Sequence, residues 1–223
     1  MTLTRSSLVD ANVTVTGHFN PAILRHDFLV RECGIDLGEP VRRTENAIPT
    51  FSEIQYSGIW WMMELNRMIV RDVKLEMKAA TLLVTYLDKL PYTPLFAVGI
   101  NVFGTFVSSG SPVKNYRLLN RDSVWEMLQP INASDIELTT KSRIRGKASW
   151  FPAQIVLNFT NLDQSRVLLK VDLDEVNNSV HAHYNCEVRD LDIERSRLAL
   201  ITERYQTVTQ EFSNLMEISL ACC

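Results

Sequence analysis

The sequence predicts an α+β protein, and three observations support this prediction. Segments rich in β-branched and aromatic residues alternate with two amphipathic helical patterns in the first half of the chain. Strand-like segments separated by short turns fill most of the second half, and a long helical pattern closes the chain. The 223 residues, 46% hydrophobic and 22% charged, have ordinary globular composition with enough apolar residues for a core.

The first half begins with a strand and a capped helix. Residues 13–16 are β-branched in succession, which is typical of a strand. Asn20 before Pro21 predicts the start of a helix, with Asn as the cap and Pro at the first helical position, and Gly34 is predicted to end it. Residues 36–49 are charged and contain two prolines, so they are predicted to form a loop.

Two strands, a helix and a buried strand complete the first half. Residues 51–56 and 59–70 are strand-like, and because only two residues separate them, they are predicted to form a hairpin. Residues 74–90 have helical periodicity, and residues 95–107 are apolar on both faces, as in a central strand. The resulting order β-α-β-β-α-β is that of a ferredoxin-like fold, in which two helices cover one face of an antiparallel sheet.

The second half is predicted to be an antiparallel meander followed by a long terminal helix. Small residues at 108–114 predict a boundary between a ferredoxin-like part (residues 1–110) and a second part (residues 111–223) that pack as one compact unit. The predicted elements are a short helix at residues 123–128, strands at roughly residues 136–144, 154–160, 166–172 and 179–188, and a helix over about residues 190–220.

Charge and cysteine usage indicate a cytoplasmic protein. The net charge is -3, and because proteins that rely on nonspecific phosphate contacts are usually basic, bulk charge does not favour a nucleic-acid partner. Cysteines at positions 33, 186, 222 and 223 match neither a disulfide framework nor a zinc ribbon, which favours a reducing compartment. No apolar stretch approaches the ~20 residues of a membrane-spanning helix, so no membrane association is predicted.

The terminal helix has the pattern most indicative of a protein interface. Its apolar residues recur at spacings of three and four, as in a heptad seam: Leu198, Ile201, Tyr205, Val208, Phe212 and Leu215. This set is called the helix seam below. Such a seam packs either on the protein's own sheet or against a second copy or a partner helix, and the sequence leaves both open. The apolar run at residues 58–63 is likewise either core or a binding surface.

A histidine pair suggests a metal site as an alternative. His181 and His183 lie two residues apart on a predicted strand and therefore share a face with Glu187. Asp172 and Asp174 form an acidic strand end that is also suited to a metal or to acid–base chemistry. A solvated strand face and an acidic turn explain the same residues without any ligand.

Basic residues alternate along another predicted strand. The stripe consists of Lys141, Arg143, Arg145 and Lys147, and Trp150 and Phe151 follow it. Basic and aromatic side chains together are typical of surfaces that track a single-stranded nucleic acid. A solvent-exposed charged strand accounts for the same spacing, and the acidic net charge opposes the nucleic-acid interpretation.

Residues 92–106 resemble a segment of a known family. Their pattern Thr-Pro-Leu-Phe-Ala-Val-Gly-Ile-Asn, the later Val-Asp-Leu-Asp of residues 171–174 and the long terminal helix resemble the sporadically distributed uncharacterised proteins of bacteria and archaea. The resemblance implies a bacterial or phage setting and a similar α+β body. It implies no catalytic residues.

The sequence therefore predicts a non-catalytic interaction protein. It lacks the nucleophile elbow, the zinc-protease helix motif, the dinucleotide-binding glycine motif and the P-loop, so neither an enzyme activity nor a cofactor is predicted. The leading hypothesis is a homo-oligomer or a subunit of a larger complex. The alternatives are a metal-dependent enzyme or metal-binding protein that uses His181 and His183, and a single-stranded nucleic-acid binder that uses the stripe between positions 141 and 147.

Overall fold

The computed structural model describes residues 4–43, 50–107, 134–145, 149–160, 164–174, 179–189 and 197–219. Strands and helices both occur in these ranges, which confirms the predicted α+β class. The strands are β1 (Thr4–Gly17), β2 (Arg42–Arg43), β3 (Phe51–Gln55), β4 (Ile59–Glu64), β5 (Arg67–Asp72), β6 (Leu95–Val107), β7 (Ser134–Arg145), β8 (Ser149–Thr160), β9 (Arg166–Asp174) and β10 (Ser179–Arg189). The helices are a 3-10 turn (Pro21–Ile23), α1 (His26–Arg31), α2 (Ala79–Asp88) and α3 (Leu198–Ser219).

The chain divides into two compact units. Unit A comprises Asp10–Asn101 and Glu187–Thr207, and unit B comprises Met1–Val9, Val102–Cys186 and Val208–Cys223. In unit A the strand order is β2-β3-β4-β5-β1-β6, and in unit B it is β6-β10-β9-β8-β7. The pairs β1/β5, β2/β3, β3/β4, β4/β5, β7/β8 and β8/β9 are antiparallel.

A segment of unit A that was predicted to be one strand folds as a hairpin of two strands. The apolar run at residues 59–70 folds as β4 and β5, which turn at Leu65 and Asn66. Asn is a frequent turn residue, and the last residue of β1 together with the chain just after it holds this turn in place. The amide of Gly17 donates to the carbonyl of Asn66 at 3.1 Å, and the amide of Phe19 donates to that of Leu65 at 2.8 Å.

The extra strand changes the topology of unit A. Because the chain reverses between β4 and β5, β5 runs antiparallel to β1, with Val13 opposite Val70. A ferredoxin-like fold is a split βαβ unit and needs its first and third strands to be parallel. The ferredoxin-like order is therefore not confirmed.

The helices of unit A are shorter than their sequence patterns. Asn20 caps the 3-10 turn, and its side chain accepts a hydrogen bond at 3.1 Å from the backbone amide two residues on, but the α-helix begins only at His26. Helix α2 begins at Ala79 rather than near residue 74. Leu75 and Met77 have φ values of 55° and 59°, which a right-handed helix excludes.

In unit B, strands β7 to β9 form two consecutive antiparallel hairpins. The complete four-stranded meander stays a prediction. Helix α3 lies within the predicted range of residues 190–220. None of the helices in the described ranges combines the length and the apolar composition that crossing a membrane requires. The predicted boundary at residues 108–114 and the predicted helix at residues 123–128 lie outside the described residues.

The core of unit A lies between one face of its strands and its helices. Trp61 of β4 is fully buried, and its ring centroid lies 5.6 Å from that of Tyr86 in α2. The ring of Tyr86 lies 5.6 Å from that of Phe28 in α1. The hydroxyl of Ser52 in β3 donates to the carbonyl of Leu24 at 3.1 Å. Helices α1 and α2 therefore cover the strand face that presents Trp61 and Ser52.

Buried tyrosine hydroxyls of the chain differ in their hydrogen bonding. Among the described residues, the hydroxyls of Tyr86 and Tyr205 are buried without a hydrogen-bond partner, and burial raises the pKa of both phenols. The hydroxyl of Tyr184 instead donates to Glu211 Oε2 at 2.8 Å. A buried polar group without a partner bears its desolvation penalty, whereas a hydrogen bond to a charged group stabilises the fold.

This difference leads to a prediction about three Tyr→Phe variants. We expect Tyr86→Phe and Tyr205→Phe to leave the free energy of unfolding within about 1 kcal/mol of the original value, or to raise it, because no bond is lost. We expect Tyr184→Phe to lower the free energy of unfolding by about 1.5–3 kcal/mol, because a hydrogen bond to a carboxylate is lost. Urea denaturation of the three variants tests this, and equal losses in all three would contradict it.

Candidate protein-binding face of the sheet

The strands of unit A have two chemically different faces. Alternation along each strand places successive side chains on opposite faces. The face opposite to the one that contains Trp61 is called the open face below. Three residues of each of four strands lie on it: Phe51, Glu53 and Gln55 of β3, Trp60, Met62 and Glu64 of β4, Arg67, Ile69 and Arg71 of β5, and Asn12, Thr14 and Thr16 of β1. These residues are half-buried or exposed, whereas their neighbours along each strand, which lie on the helix-covered face, are buried.

Strand pairing brings the apolar residues of the open face together. Met62 lies opposite Ile69 in the β4/β5 pair, and Ile69 lies opposite Thr14 in the β1/β5 pair. In the next row Trp60 lies opposite Arg71, whose guanidinium carbon is 5.7 Å from the centroid of the indole ring. This is a cation–π contact. Met62 and Ile69 are directly opposite each other, and Trp60 is the next residue of β4 on the same face. These three residues therefore make up the apolar centre of the open face.

Charged residues around this centre pair with one another. Arg71 Nε lies 2.8 Å from Asp10 Oδ1, Arg67 Nη2 lies 3.0 Å from Glu64 Oε1, and Arg42 Nη2 lies 2.9 Å from Glu53 Oε1. Each pair joins one arginine to one carboxylate, so the three pairs together have no net charge. Exposed pairs of this kind add little stability. Because the pairs are neutral, the charged residues around the apolar centre attract neither an acidic nor a basic partner strongly.

Polar side chains fix one side of the open face. The side-chain oxygen of Asn12 accepts a hydrogen bond from the amide nitrogen of Asn101 at 3.1 Å and another from the hydroxyl of Thr14 at 3.2 Å. The hydroxyl of Thr16 donates to the carbonyl of Ala97 in β6 at 3.4 Å. Side chains with such bonds keep one orientation, so this part of the face is preorganised.

The helix seam lies inside the chain. Its described side chains are at most 4% exposed: Leu198, Ile201, Tyr205, Val208 and Phe212. Phe212 meets Tyr184 of β10 edge-on, with ring centroids 6.3 Å apart. Of the two arrangements that the sequence left open, these five residues adopt packing within their own chain. The spacing of three and four residues is shared by every helix that covers a core. The side chain of Leu215 lies outside the described residues.

His183 stacks on an aromatic ring. Its imidazole lies parallel to the ring of Phe103 in β6, with centroids 4.3 Å apart and an interplanar angle of 8°. Burial, and secondly the charge of Lys170, lower the pKa of His183. Lys170 Nζ itself lies 3.0 Å from Asp172 Oδ2. The lowered pKa favours the neutral imidazole, so His183 is suited to stacking rather than to holding a charge.

His181 and Glu187 have polar neighbours of their own. His181 Nδ1 lies 3.1 Å from the hydroxyl of Thr105, and its Nε2 lies 3.3 Å from the hydroxyl of Ser179. Glu187 Oε2 lies 2.8 Å from Arg189 Nη2. In the part of the chain that the structure describes, no three His, Cys, Asp or Glu side chains are grouped so as to hold a metal ion. The metal alternative therefore gains no support from the described residues.

The basic stripe lies on the edge strand of unit B. Lys141, Arg143 and Arg145 belong to β7, which ends the strand order of that unit. Lys147 lies outside the described residues. The aromatic residues that follow the stripe belong to β8, the partner of β7. Lys141, Arg143 and Arg145 therefore belong to the same hairpin as Trp150 and Phe151.

Sequence reasoning indicated a small part of the open face. The apolar run at residues 58–63 was predicted to be either core or a binding surface, and in the structure Trp61 is buried while Trp60 and Met62 lie on the open face. The part contributed by β5 was missed because the run was interpreted as a single strand. The available signal was the polar group Glu64, Asn66 and Arg67, which interrupts the apolar alternation where the hairpin turns.

Comparison with known proteins adds no relative to this description. No protein-family model matches the chain, and no curated protein sequence matches it. The resemblance of residues 92–106 to the sporadically distributed proteins of bacteria and archaea stays a prediction.

Proposed function

We propose that this chain is a non-catalytic assembly protein that forms a homo-oligomer by packing the open face of unit A against the same face of a second copy. The observation that supports this proposal is the apolar centre of Trp60, Met62 and Ile69. Apolar patches with a polar rim mark interaction surfaces on soluble proteins. Two sheets readily pack face to face at a separation of about 10 Å. The resemblance noted in the sequence supports a bacterial or phage-related setting for this assembly.

The charges of the open face favour a second copy over a charged partner. In a two-fold contact the same patch meets itself, so a patch of one sign would repel its copy. The three ion pairs around the apolar centre have no net charge, and like-charge repulsion between two copies is therefore small. This surface replaces the helix seam as the interface, because contact through the five buried seam residues would require the core to open.

Native mass measured by light scattering over a range of concentrations tests the proposal. The original chain is expected to exceed the 25.5 kDa of a single copy. Met62→Lys is expected to give the single-chain mass, because each copy would bring a positive charge into the centre of the contact. Met62 lies opposite Glu53 within the chain, so the new lysine stands next to the carboxylate that Arg42 also contacts and meets no like charge across the strand pair. Ile69→Thr provides a second, uncharged test of the same centre.

The matched control is Thr81→Lys, which adds the same charge at an exposed position on α2 and should keep the original mass. Circular dichroism checks that every variant is folded. A single-chain mass for the original protein at all concentrations would overturn the proposal. An oligomer that Met62→Lys and Ile69→Thr leave intact would exclude the open face as its interface.

A further inference from the structure

The β4–β5 hairpin orders the open face into three rows of paired side chains. Each row joins one residue of β4 to its neighbour in β5: Trp60 with Arg71, Met62 with Ile69, and Glu64 with Arg67. The guanidinium carbon of Arg71 lies 5.7 Å from the centroid of the Trp60 ring. Arg67 Nη2 lies 3.0 Å from Glu64 Oε1, and the middle row is apolar. The hairpin therefore complements a copy of itself in which β4 and β5 are exchanged.

A two-fold axis can make this exchange. Such an axis runs parallel to the strands, between the two facing sheets and above the line that separates β4 from β5. Rotation about it places β4 of one copy over β5 of its partner and keeps each row over the same row. Arg71 then faces an indole ring of the partner, Glu64 faces a guanidinium group, and Met62 faces an isoleucine. All three contacts are attractive, and the strands of the two sheets stay aligned, as in a β-sandwich.

The flanking strands add no repulsion to this arrangement. Strand β3 lies next to β4, and β1 lies next to β5, so the same axis places β3 of one copy over β1 of the other. Glu53, which shares the row of Met62, then faces the hydroxyl of Thr14. Gln55, which shares the row of Trp60, faces Asn12. Amide groups both donate and accept hydrogen bonds, so these two side chains are compatible.

Other two-fold axes give poorer contacts. An axis perpendicular to the strands, above the middle row, places each strand over its own copy in reverse. Arg67 of one copy then faces Arg71 of the other, and like charges repel. An axis above the line between β5 and β1 places Ile69 over Thr14, which covers the apolar centre with polar side chains. Only the axis between β4 and β5 joins the two apolar centres without bringing like charges together.

We infer that two copies associate about the axis between β4 and β5, and that Glu64 and Arg67 select this orientation by forming ion pairs with the partner. The inference rests on the proposed assembly and adds its geometry and the residues that determine it. In the single chain the two side chains are 34% and 45% exposed. Both can therefore contact a second copy while they remain next to each other.

Two charge reversals test this orientation. Glu64→Lys places the new lysine over the partner's Arg67, and Arg67→Glu places the new glutamate over the partner's Glu64. Because the contact is two-fold, each variant repels itself at two places. We expect either variant alone to raise the dissociation constant at least about tenfold, measured by light scattering on dilution. An equimolar mixture of the two variants is expected to recover the assembled mass, because every reversed charge then faces an opposite charge.

The matched controls are Glu32→Lys and Arg31→Glu, which make the same charge reversals at exposed positions at the end of α1, on the side of the strands away from the open face. Each is expected to keep the original mass, and circular dichroism checks that every variant is folded. Tighter assembly of Arg67→Glu than of the original chain would overturn the inference in favour of the perpendicular axis, because the new glutamate would then face Arg71.

Two further results bear on the orientation and on the assembly separately. Original assembly in both single variants, or no recovery when these folded variants are mixed, would overturn the inferred orientation and leave the proposed assembly intact. A single-chain mass for the original protein would overturn the proposed assembly and this inference with it.

Discussion

Replacement of Phe212 by alanine is expected to lower the free energy of unfolding by about 3–5 kcal/mol, the usual cost of truncating a large aromatic side chain in a packed core. Phe212 has no exposed surface, and its ring meets that of Tyr184 edge-on. The variant therefore loses both the burial of the ring and an aromatic contact. Urea denaturation followed by circular dichroism measures the loss.

Phe212 also distinguishes the two roles of the helix seam. If the seam is core, Phe212→Ala destabilises the chain, while its folded fraction keeps the native mass of the original protein. Gln206→Ala is the matched control, because Gln206 is exposed on the same helix and its truncation should change the stability by at most about 0.5 kcal/mol. A lower native mass for Phe212→Ala with little loss of stability would return the seam to the role of a partner interface.

Sequence patterns predicted those features that depend on neighbouring residues. The cap at Asn20 follows from a side-chain oxygen placed next to a proline, and α3 follows from a helical period sustained over many residues. The same period could not say what the seam packs against, because a heptad seam and a core-facing helix share their spacing. That choice depends on whether the rest of the chain supplies an apolar surface, such as the one around Tyr184.

Features fixed by distant parts of the chain were beyond sequence reasoning. The turn at Leu65 and Asn66 contains neither Gly nor Pro, and the amides of Gly17 and Phe19, at the end of β1 and just after it, hold it in place. The open face exists because this turn adds β5 next to β4, so its composition could not be predicted from single strands. The pairing of Arg143 in β7 with Phe151 in β8 depends in the same way on the register of a hairpin.

The late start of α2 has a local cause, a side chain at the end of the preceding strand, and it leads to the second prediction. Asp72 is fully buried at the end of β5, and its carboxylate accepts two backbone hydrogen bonds. Oδ1 accepts from the amide of Glu76 at 3.0 Å, and Oδ2 accepts from the amide of Lys78 at 2.9 Å. Lys78, the cap residue of α2, forms no side-chain capping bond of its own. Asp72 therefore supplies the acceptors that a helix amino terminus needs.

Asp72→Ala is accordingly expected to lower the free energy of unfolding by about 3–5 kcal/mol, because hydrogen bonds to a charged group are each worth about 1.5–3 kcal/mol. Asp72→Asn retains one acceptor oxygen and should lose about half as much. Urea denaturation measures both losses, and hydrogen exchange should show faster exchange at the amides of Glu76 and Lys78. Losses below about 1 kcal/mol in both variants would show that these amides find water or other acceptors.

The same substitution tests whether the open face depends on its support from behind. Helix α2 packs Tyr86 on Trp61, and Trp61 is the chain neighbour of both Trp60 and Met62. If Asp72 holds the start of α2, loosening this helix in Asp72→Asn should also weaken assembly, although no residue of the open face is changed. On dilution, this variant should then dissociate to single chains at a higher protein concentration than the original chain does. An unchanged concentration dependence would show that the strands hold the open face in shape without α2.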